Sequence, residues 1–387
     1  MGGTHLGGIL IKYLGSKRRL VPVLGDLLAA SGARTALDLF TGTTRVAQEF
    51  KRRGAHVTAV DTARYSEMIA RCYIQADASA VDPNGLEKAV ARLNALPGRP
   101  GYFTETFCVK SRFFQPKNGE RVDAIRDHLD REFAGSALFP ILLTSLIEAT
   151  DRVDSTTGVH MAYVKEWAPR AFKDLELRVP LLIEGEGRAV RGDACRLVDT
   201  LAPVDFAYLD PPYNQHRYFT NYHIWETLVA WDSPEHYGVA CKRADSRLEE
   251  TKSVFNRKRE MPEALKRVIR GVRAECVVLS YNDEAWVELG ELREWMAVHG
   301  HVIALAFDSQ RYVGARIGIY NPAGEKVGKV SHLRNLEYLL VAGERELVKR
   351  FCAPYVDALS DVSGDVEPGR AALLEERTQK AEVVVNP

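Results

Sequence analysis

The sequence lacks the features that mark membrane, secreted or metal-stabilised proteins. No apolar run approaches the roughly 20 residues that a membrane-spanning helix needs, and the first residues lack the basic and apolar blocks of a signal peptide. The six cysteines include no CxxC pair, and no His/Cys cluster has zinc spacing. We therefore expect a cytoplasmic protein with reduced thiols, without a metal and without a membrane partner.

A net charge is also absent, because 52 Lys and Arg residues balance 52 Asp and Glu residues. This balance argues against bulk attraction to nucleic acid and leaves local basic patches as the alternative. No Pro-Cys dipeptide occurs, which argues against a cysteine nucleophile of the kind that cytosine-C5 methylases use. The glycine patterns of dinucleotide-binding and P-loop proteins are missing too, so a pyrophosphate cradle is not expected.

What is present predicts a large globular α/β protein. The chain has 387 residues, of which 46% are hydrophobic and 27% charged. Strand Thr35–Leu39, a small-residue turn at 40–44, helix Arg45–Arg53 and strand His56–Val60 follow one another near the start. This succession predicts a parallel βαβ unit.

The strand pattern stops between about residues 73 and 180 and then resumes. The interval carries helical stretches such as Ala124–Phe133 and Ala137–Glu148, so we expect an inserted, mainly helical subdomain. Later strands are predicted at Val204–Leu209, Cys276–Ser280, Val302–Phe307 and Glu337–Ala342. The Gly-rich segment 311–332 has no helical pattern, so the last two strands should form an antiparallel hairpin.

The most specific motif is Asp210-Pro211-Pro212-Tyr213, which directly follows an apolar strand. Side chains at the carboxyl end of a parallel strand face a ligand crevice. Prolines fix the backbone and have no N–H, so Asp210 and the Pro211 carbonyl are predicted to accept two hydrogen bonds from one exocyclic amine. Those bonds make the amine nucleophilic, while Tyr213 offers a face for base stacking. The alternative is an ordinary turn, because Asp-Pro-Pro is common loop chemistry.

A second motif is the turn at residues 38–44. Small residues such as Gly42 let a ligand approach the backbone closely, and Asp61 at the tip of the next strand can accept hydrogen bonds from ribose hydroxyls. A nucleoside without phosphates, such as S-adenosylmethionine (AdoMet), fits both features. The alternatives are a strand-end acid for Asp38 and a helix N-cap for Asp61.

A third motif is the short basic segment 12–18 before the first strand. Lys17 can meet a carboxylate there, and Tyr13 can pack on an adenosine or a methionine chain. Taken alone, the segment is equally an ordinary basic loop.

In this order the motifs resemble the D12 class of DNA adenine-N6 methyltransferases, the Dam-like group. The matching elements are Tyr13-x-Gly-x-Lys17, Asp-x-Phe-x-Gly at residues 38–42, the strand ending in Asp61, and Asp-Pro-Pro-Tyr. Further matches are Gly192-Asp193-Ala194, Ser280-Tyr281-Asn282 and the Arg- and Gly-containing segment 148–160. The resemblance covers about residues 9–345, with Tyr13 standing where the family more often has Trp.

The resemblance implies a class I AdoMet-dependent methyltransferase fold. That fold is Rossmann-like, with a seven-stranded sheet that ends in an antiparallel 6–7 hairpin. The implied division is a catalytic AdoMet-binding domain at 9–75 and 181–345, an inserted helical target-recognition subdomain at 76–180, a basic DNA-contacting segment at 232–273, and a C-terminal tail at 353–387.

The resemblance also assigns site residues. AdoMet is implied to be bound by Tyr13 and Lys17 near its methionine part, Asp38, Phe40 and Gly42 along the pocket, Asp61 at the ribose and Asp193 near the adenine. Asp210, Pro211, Pro212 and Tyr213 are implied to hold the target base.

Local basic residues are the expected contacts to double-stranded DNA. Residues 242–273 contain eleven Lys/Arg and five Asp/Glu, a local charge of 11 − 5 = +6. The candidates, each of which can equally be solvated surface, are Lys110, Arg112, Arg152, Lys165, Arg257, Lys258 and Arg259.

The predicted reaction is transfer of a methyl group from AdoMet to N6 of an adenine flipped out of duplex DNA. N4 methylation of cytosine and N2 methylation of rRNA guanine remain alternatives, because the same acceptors suit those amines. A non-catalytic binder of DNA or AdoMet is a further alternative, which the intact Asp210-Pro211 pair disfavours. A cognate restriction endonuclease and an orphan role are both open.

Overall fold

The structure, a computed structural model, describes most of the chain. The described residues are 11–14, 17–164, 166–213, 215, 217–310, 319–320, 326–328, 334–356 and 382–383. Lys165 lies outside them, as do most residues of the segment 311–332 and of the tail 353–387. The first compact unit comprises Met1–Val21, Thr41–Asp193 and His216–Ser253, and the second comprises Pro22–Phe40, Ala194–Gln215 and Val254–Pro387.

Helices occur along the whole described part of the chain. The α-helices are α1 (Val21–Ser31), α2 (Arg45–Arg52), α3 (Arg64–Ala70), α4 (Pro83–Asn94), α5 (Tyr102–Thr104), α6 (Pro116–Phe133), α7 (Leu138–Arg152), α8 (Ala194–Leu197), α9 (Tyr218–Asn221), α10 (His223–Ala230), α11 (Met261–Gly271), α12 (Leu289–Met296) and α13 (Arg345–Val356). Two π-helical turns, Arg71–Gln75 and Glu105–Lys110, follow α3 and α5. Short 3-10 turns lie at Ala78–Ala80, Pro169–Phe172, Ala244–Arg247, Glu249–Thr251, Val254–Asn256 and Ala297–His299.

Strands are fewer and mostly short. They are β1 (Thr35–Asp38), β2 (His56–Asp61), β3 (Gly187–Arg191), β4 (Val204–Leu209), β5 (His236–Tyr237), β6 (Lys242–Arg243), β7 (Ala274–Asn282), β8 (His301–Gln310), β9 (Ile319–Tyr320), β10 (Lys326–Gly328), β11 (Arg334–Gly343) and β12 (Glu382–Val383).

The first unit joins a parallel strand pair to a group of helices. Strands β2 and β3 pair in parallel from Val57↔Gly187 to Asp61↔Arg191. Helix α7 is apolar on most of its surface, so residues 141–151 are buried, as expected of a central helix. Between residues 76 and 180 the described residues form helices and no strand beyond an isolated Thr156–Tyr163 bridge. The interval is therefore mainly helical, and its predicted role in target recognition stays a prediction.

The second unit contains most of the sheet. Its strands lie in the order β12-β8-β11-β7-β4-β1. Strands β1, β4 and β7 pair in parallel, while β11 pairs antiparallel with both β7 and β8. Apolar runs such as Val277-Val278-Leu279 are fully buried, as strands covered on both faces require. The predicted antiparallel hairpin is thus confirmed as β8 and β11.

The observed strands confirm the predicted α/β fold class. Seven described strands, β1–β4, β7, β8 and β11, have four or more residues, and their pairing is mostly parallel. Strand β4 has the predicted bounds Val204–Leu209, whereas β7, β8 and β11 extend beyond the predicted segments. The two compact units do not test the predicted domain bounds, which stay a prediction.

Candidate active site

Two aspartates of the second unit lie at the same edge of its sheet. Strand β1 ends at Asp38, which pairs with Tyr208 of the parallel neighbour β4, and Asp210 follows the end of β4. Both acids therefore project from carboxyl strand ends, where ligands bind in open α/β sheets. Asp38 is buried and Asp210 is half-buried. The structure brings together these two predicted residues, which the sequence separates widely.

Two prolines restrict the backbone of the segment Asp210-Pro211-Pro212-Tyr213, and the Tyr213 ring contacts another aromatic residue. Pro211 is buried, while Pro212 and Tyr213 are half-buried. The Tyr213 ring meets the Tyr281 ring edge-on, with centroids 5.5 Å apart and an interplanar angle of 61°. Because two consecutive residues have fixed φ and no N–H, this segment can present carbonyl and carboxylate acceptors in one rigid arrangement.

The end of β7 lies beside this segment. Leu279 pairs with Leu209, so Ser280, Tyr281 and Asn282 continue along the same edge of the sheet. Burial raises the pKa of the Tyr281 phenol, which keeps its hydroxyl protonated.

In the second unit Phe40 meets Phe255 edge-on, with ring centroids 5.1 Å apart. Phe255 therefore packs against Phe40, which was predicted to line the cofactor pocket. The sequence did not indicate this contact.

In the first unit the turn at residues 41–44 requires glycine. Gly42 has φ +51°, and a Cβ atom there would lie 3.1 Å from Cε1 of Tyr13. Thr44 also has a positive φ, 62°, just before α2. A side chain at position 42 would be both strained and crowded. Because Gly42 has no side chain, the Tyr13 ring can lie directly against its backbone.

Asp61 joins this turn to the carboxyl end of β2. Its Oδ2 accepts a hydrogen bond from Gly42 N, and its Oδ1 accepts one from Ala63 N, both at 2.9 Å. Burial raises the pKa of the Asp61 carboxyl, although these backbone N–H groups oppose the shift. Gly192 N donates to Asp61 O at 2.9 Å, so the half-buried Asp193 follows next to the same strand end.

Tyr13 belongs to a group of four tyrosines, which we call the tyrosine cluster: Tyr13, Tyr65, Tyr218 and Tyr222. The Tyr13 ring stacks on Tyr222 at 4.7 Å and on Tyr218 at 5.4 Å, and its hydroxyl lies 3.3 Å from that of Tyr65. The Tyr222 hydroxyl accepts a hydrogen bond from Leu14 N at 2.6 Å. Burial raises the pKa of Tyr13 and of Tyr65, so both phenols stay neutral. The short segment before the first helix is thereby held by an aromatic stack.

Lys12, beside Tyr13, lies in an ion network that sequence reasoning missed. Its Nζ is 2.9 Å from Asp151 Oδ2 and 3.3 Å from Asp154 Oδ1. Arg170 Nε donates to Asp154 Oδ1 at 2.6 Å, which balances the two acids with two cations. Both acids are buried, so this balance offsets the cost of their desolvation. The partners lie more than a hundred residues from Lys12, and no local pattern signals them.

Glu226 is a second residue that the sequence did not indicate, and it lies beside the tyrosine cluster. Its Oε1 accepts from Arg64 N at 2.7 Å and from Tyr65 N at 3.4 Å, at the start of α3. The N-cap residue Ala63 has no side-chain acceptor, so a buried carboxylate from α10 replaces the usual cap. Burial raises the pKa of Glu226 to about 7. Glu226 thereby fixes the backbone of Tyr65.

The remaining predicted cofactor residue, Lys17, is buried, and its carbonyl accepts from Leu20 N at 2.7 Å and Val21 N at 3.0 Å. The structure thus places Tyr13, Gly42, Asp61 and Asp193 close to one another within the first unit. It places Asp38 and Asp210 at one sheet edge within the second.

The predicted DNA-contacting residues are scattered. In the first unit Lys110 pairs with Glu105 at 2.8 Å, Arg112 lies over the Trp167 ring at 4.7 Å, and Arg152 donates to Glu176 O at 2.6 Å. In the second unit Arg257 lies 3.1 Å from Glu260, and the other two basic residues are exposed: Lys258 and Arg259. Lys165 lies outside the described residues.

The described residues form neither a metal-binding cluster nor a membrane-spanning helix. No group of three His, Cys, Asp or Glu residues is arranged there to hold a metal ion. None of the helices within the described ranges is long and apolar enough to cross a membrane. The six cysteines, all within those ranges, are free.

Comparison with known proteins relates the sequence of this chain to one family. A sequence model of the D12 class N6 adenine-specific DNA methyltransferases matches residues 13–294, well over half of the chain. The type II methyltransferase M.NlaIII of Neisseria lactamica is 29% identical over 299 residues, covering 73% of this chain and 87% of that protein. M.CviAII of Paramecium bursaria Chlorella virus 1 is 24% identical over 316 residues, covering 78% and 92%. M.FokI of Planomicrobium okeanokoites is 26% identical over 310 residues, but this chain spans only 47% of its length.

Proposed function

The chain belongs to the D12 class of N6 adenine-specific DNA methyltransferases, and we propose which of its residues bind AdoMet and which activate the adenine amine. Family membership makes the reaction AdoMet-dependent methylation of adenine N6 in DNA. It does not favour N4-cytosine methylation, rRNA guanine methylation or a non-catalytic role. The residue roles that follow are proposals supported by the geometry of each unit.

AdoMet is proposed to be held by Tyr13, Lys17, Asp38, Phe40, Gly42, Asp61 and Asp193. The chemistry of these residues fits such a group: the aromatic Tyr13 ring lies against the backbone at Gly42, and Asp61 is a carboxylate at a carboxyl strand end, the group that binds ribose hydroxyls in such folds. Asp193, just beyond β3, is proposed to accept from the adenine amine of the cofactor. When bound, AdoMet supplies an electrophilic methyl group on its sulfonium.

Asp210 and the Pro211 carbonyl are proposed to accept hydrogen bonds from N6 of the target adenine. Two such bonds draw the nitrogen lone pair out of ring conjugation and orient it for attack, which is mainly a positioning effect. The amine gains positive charge as it attacks, and the Asp210 carboxylate stabilises that charge. Tyr213, held edge-on by Tyr281, is proposed to stack on the flipped base. Extrusion of the base from the duplex costs a few kcal/mol.

The helical interval 76–180 is proposed to read the DNA target, and the basic segment 232–273 to contact the backbone. Lys110, Arg112, Arg152, Lys165, Arg257, Lys258 and Arg259 remain the proposed phosphate contacts. The names of the relatives, type II methyltransferases and modification methylases, support a restriction-modification role. We infer a functional partnership with a cognate restriction endonuclease on that ground alone.

The observation that carries the mechanism is the position of Asp210 at a carboxyl strand end beside Asp38, with prolines next in the chain. Replacing Asp210 with Ala removes the carboxylate acceptor while leaving the proposed cofactor residues intact. We expect Asp210→Ala to lower the methyl-transfer rate at least about a hundredfold. The measurement is incorporation of labelled methyl groups from AdoMet into duplex DNA, with AdoMet and DNA affinities determined separately.

Asp205 offers a matched control on the same strand. It lies near the amino end of β4 and accepts from Arg34 N at 2.8 Å and Thr35 N at 2.9 Å. Asp205→Ala should therefore lower stability and leave the transfer rate of the folded enzyme unchanged. Transfer by Asp210→Ala within about threefold of wild type would refute the assignment.

A further inference from the structure

An extended segment of the first unit, residues 173–178, lies along helices α6 and α7. We call it the strap. Leu175 and Leu177 are buried, whereas Lys173, Glu176 and Arg178 are exposed. From Asp174 to Arg178 this alternation is that of a half-buried strand, with the two leucines towards the helices, and the exposed Lys173 precedes it. The strap nevertheless pairs with none of the described strands.

Helix side chains supply the hydrogen bonds that a neighbouring strand would otherwise make. Asn118 Oδ1 accepts from Leu175 N, and its Nδ2 donates to Lys173 O, both at 2.9 Å. Asn94 Oδ1 accepts from Leu177 N, and Asn94 Nδ2 donates to Leu177 O, both at 2.9 Å. Ser145 Oγ accepts from Arg178 N at 3.1 Å. The strap backbone is therefore ordered independently of its exposed side chains, which reduces the entropy lost when those side chains bind a ligand.

A groove of about 850 Å³ runs between the strap and the helices. Five basic residues line it, against only Asp174 and Glu176 on the acidic side, giving 5 − 2 = +3. The chain as a whole has no net charge, so this is a local concentration of positive charge. The basic residues are Lys117, Arg121, Arg152, Lys173 and Arg178.

The five basic residues differ in whether their side chains already form hydrogen bonds or ion pairs within the protein. Lys117 Nζ lies 2.5 Å from Asp174 Oδ1, and Arg121 Nη2 donates to Asn94 O at 2.9 Å. In contrast, the Lys173 and Arg178 side chains make no hydrogen bond or ion pair with another described residue. These two side chains remain available to an external anion.

Arg152 and Arg178 also repel each other. Burial lowers the pKa of Arg152, and the charge of Arg178 lowers it further. Repulsion between the partly desolvated Arg152 guanidinium and the exposed Arg178 guanidinium costs free energy, which a bound anion offsets. The acids Glu148, Asp151 and Glu176 act on Arg152 in the opposite direction, so the protein compensates only part of this cost by itself.

We propose that this groove binds the phosphodiester backbone of the DNA substrate, through Lys173 and Arg178 on the strap and Arg152 on the helix side. The inference rests on the proposed function, since it takes duplex DNA as the ligand. Five residue steps of extended chain separate Lys173 from Arg178, on the order of 16 Å. That span exceeds a single phosphate ion and suits successive phosphates of a polyanion.

The test is the double variant Lys173→Glu/Arg178→Glu, assayed for duplex DNA affinity at several salt concentrations. We expect Kd at about 0.1 M salt to rise tenfold or more. The slope of log affinity against log salt should become shallower by about 2, because two phosphate contacts are lost. The strap backbone is held by Asn94, Asn118 and Ser145, so the thermal midpoint should not change.

The matched control is Lys88→Glu/Arg131→Glu, which makes the same charge change at two exposed residues of α4 and α6 outside the groove. Its DNA affinity should stay within about twofold of wild type. The neutral variant Lys173→Gln/Arg178→Gln serves if the charge reversal fails to fold, with an expected slope change of about 2.

Methylation of duplex DNA by the wild-type enzyme is measured first, so that failure of the function and failure of the groove are distinguishable. Wild-type methylation combined with unchanged affinity and slope in the groove variants would overturn this inference and leave the function standing. Titration with inorganic phosphate forms a separate arm. Phosphate binding that the groove variants lose while DNA affinity is unchanged would identify a small-anion site and likewise overturn the proposal.

Discussion

Two strand-end aspartates, Asp61 of the first unit and Asp210 of the second, are held in different ways. Asp61 accepts hydrogen bonds from the backbone N–H groups of Gly42 and Ala63, and the neighbouring tyrosine cluster adds two further segments, one at Tyr13 and one at residues 218–222. Asp210 is followed by two prolines and by Tyr213, whose ring meets Tyr281. Long-range packing thus holds the proposed cofactor region, and two prolines in the sequence itself restrict the backbone of the proposed catalytic segment.

This difference separates two kinds of substitution. Changes around Asp61 should alter AdoMet affinity and stability together, because the same contacts serve both. Changes at Asp210 should alter the chemical step, because its carboxylate is proposed to contact the target amine. Within the first unit, we expect the effects to decrease from Glu226 through Asp61 to Gly42.

The largest effect is expected for the pH dependence of Glu226→Gln. The carboxyl has a pKa of about 7 in the folded protein, above its ordinary 4.5, so the folded state keeps a proton that the unfolded chain releases between these values. The wild-type free energy of unfolding should therefore fall as pH rises through this window, by up to about 3 kcal/mol from this group. The variant should lack this contribution, because Gln does not titrate and still offers an oxygen to Arg64 N.

The measurement is chemical unfolding of both proteins at pH 5 and pH 8. The difference in free energy between variant and wild type should grow in favour of the variant as pH rises. An identical pH dependence of the two proteins would show that Glu226 does not hold a proton in the fold.

Asp61→Asn should weaken AdoMet binding by about tenfold to a hundredfold. The substitution removes a charged acceptor, and hydrogen bonds to charged groups contribute about 1.5–3 kcal/mol. Calorimetric titration with AdoMet measures this loss directly. Asp77→Asn is the control, since Asp77 also accepts backbone bonds, from Ser79 N and Gly185 N, but lies on the surface. An unchanged AdoMet affinity in Asp61→Asn would contradict the proposed ribose contact.

Gly42→Ala should destabilise the protein by about 1–2 kcal/mol. The new Cβ atom would meet Cε1 of Tyr13 at 3.1 Å, and an L-residue is strained at φ +51°. Gly135→Ala separates the two causes, because Gly135 has φ +79° with nothing within 4 Å of a Cβ. Denaturant unfolding should show a larger loss at position 42, together with weaker AdoMet binding at that position alone. Equal losses would mean that contact with Tyr13 adds nothing.

The sequence predicted those parts of the fold and site that local patterns determine. Strand β4, the antiparallel pair of β8 and β11, and the order of motifs around Asp61 and Asp210 follow from apolar runs, turns and prolines. Each of these signals is read from contiguous stretches of sequence, of which the segment 311–332 is the longest. The fold class followed from their succession along the chain.

The contacts that hold the first region were not predictable, because their partners are distant in sequence. Lys12 meets Asp151 across 139 residues, and Arg64 N meets Glu226 across 162. The stacking of Tyr222 on Tyr13 likewise depends on how α10 packs, which periodicity alone does not determine. The sequence of α3 itself does not indicate that the Glu226 carboxylate of α10 caps its first turn.

The central claim is that the nitrogen activated by Asp210 and Pro211 is N6 of adenine. The most direct test incubates wild-type protein with duplex DNA and AdoMet carrying a deuterated methyl group, then identifies the methylated nucleosides by mass spectrometry. We predict that the label appears in N6-methyladenine. Label in N4-methylcytosine instead, or unlabelled DNA with a folded protein that binds AdoMet, would contradict it.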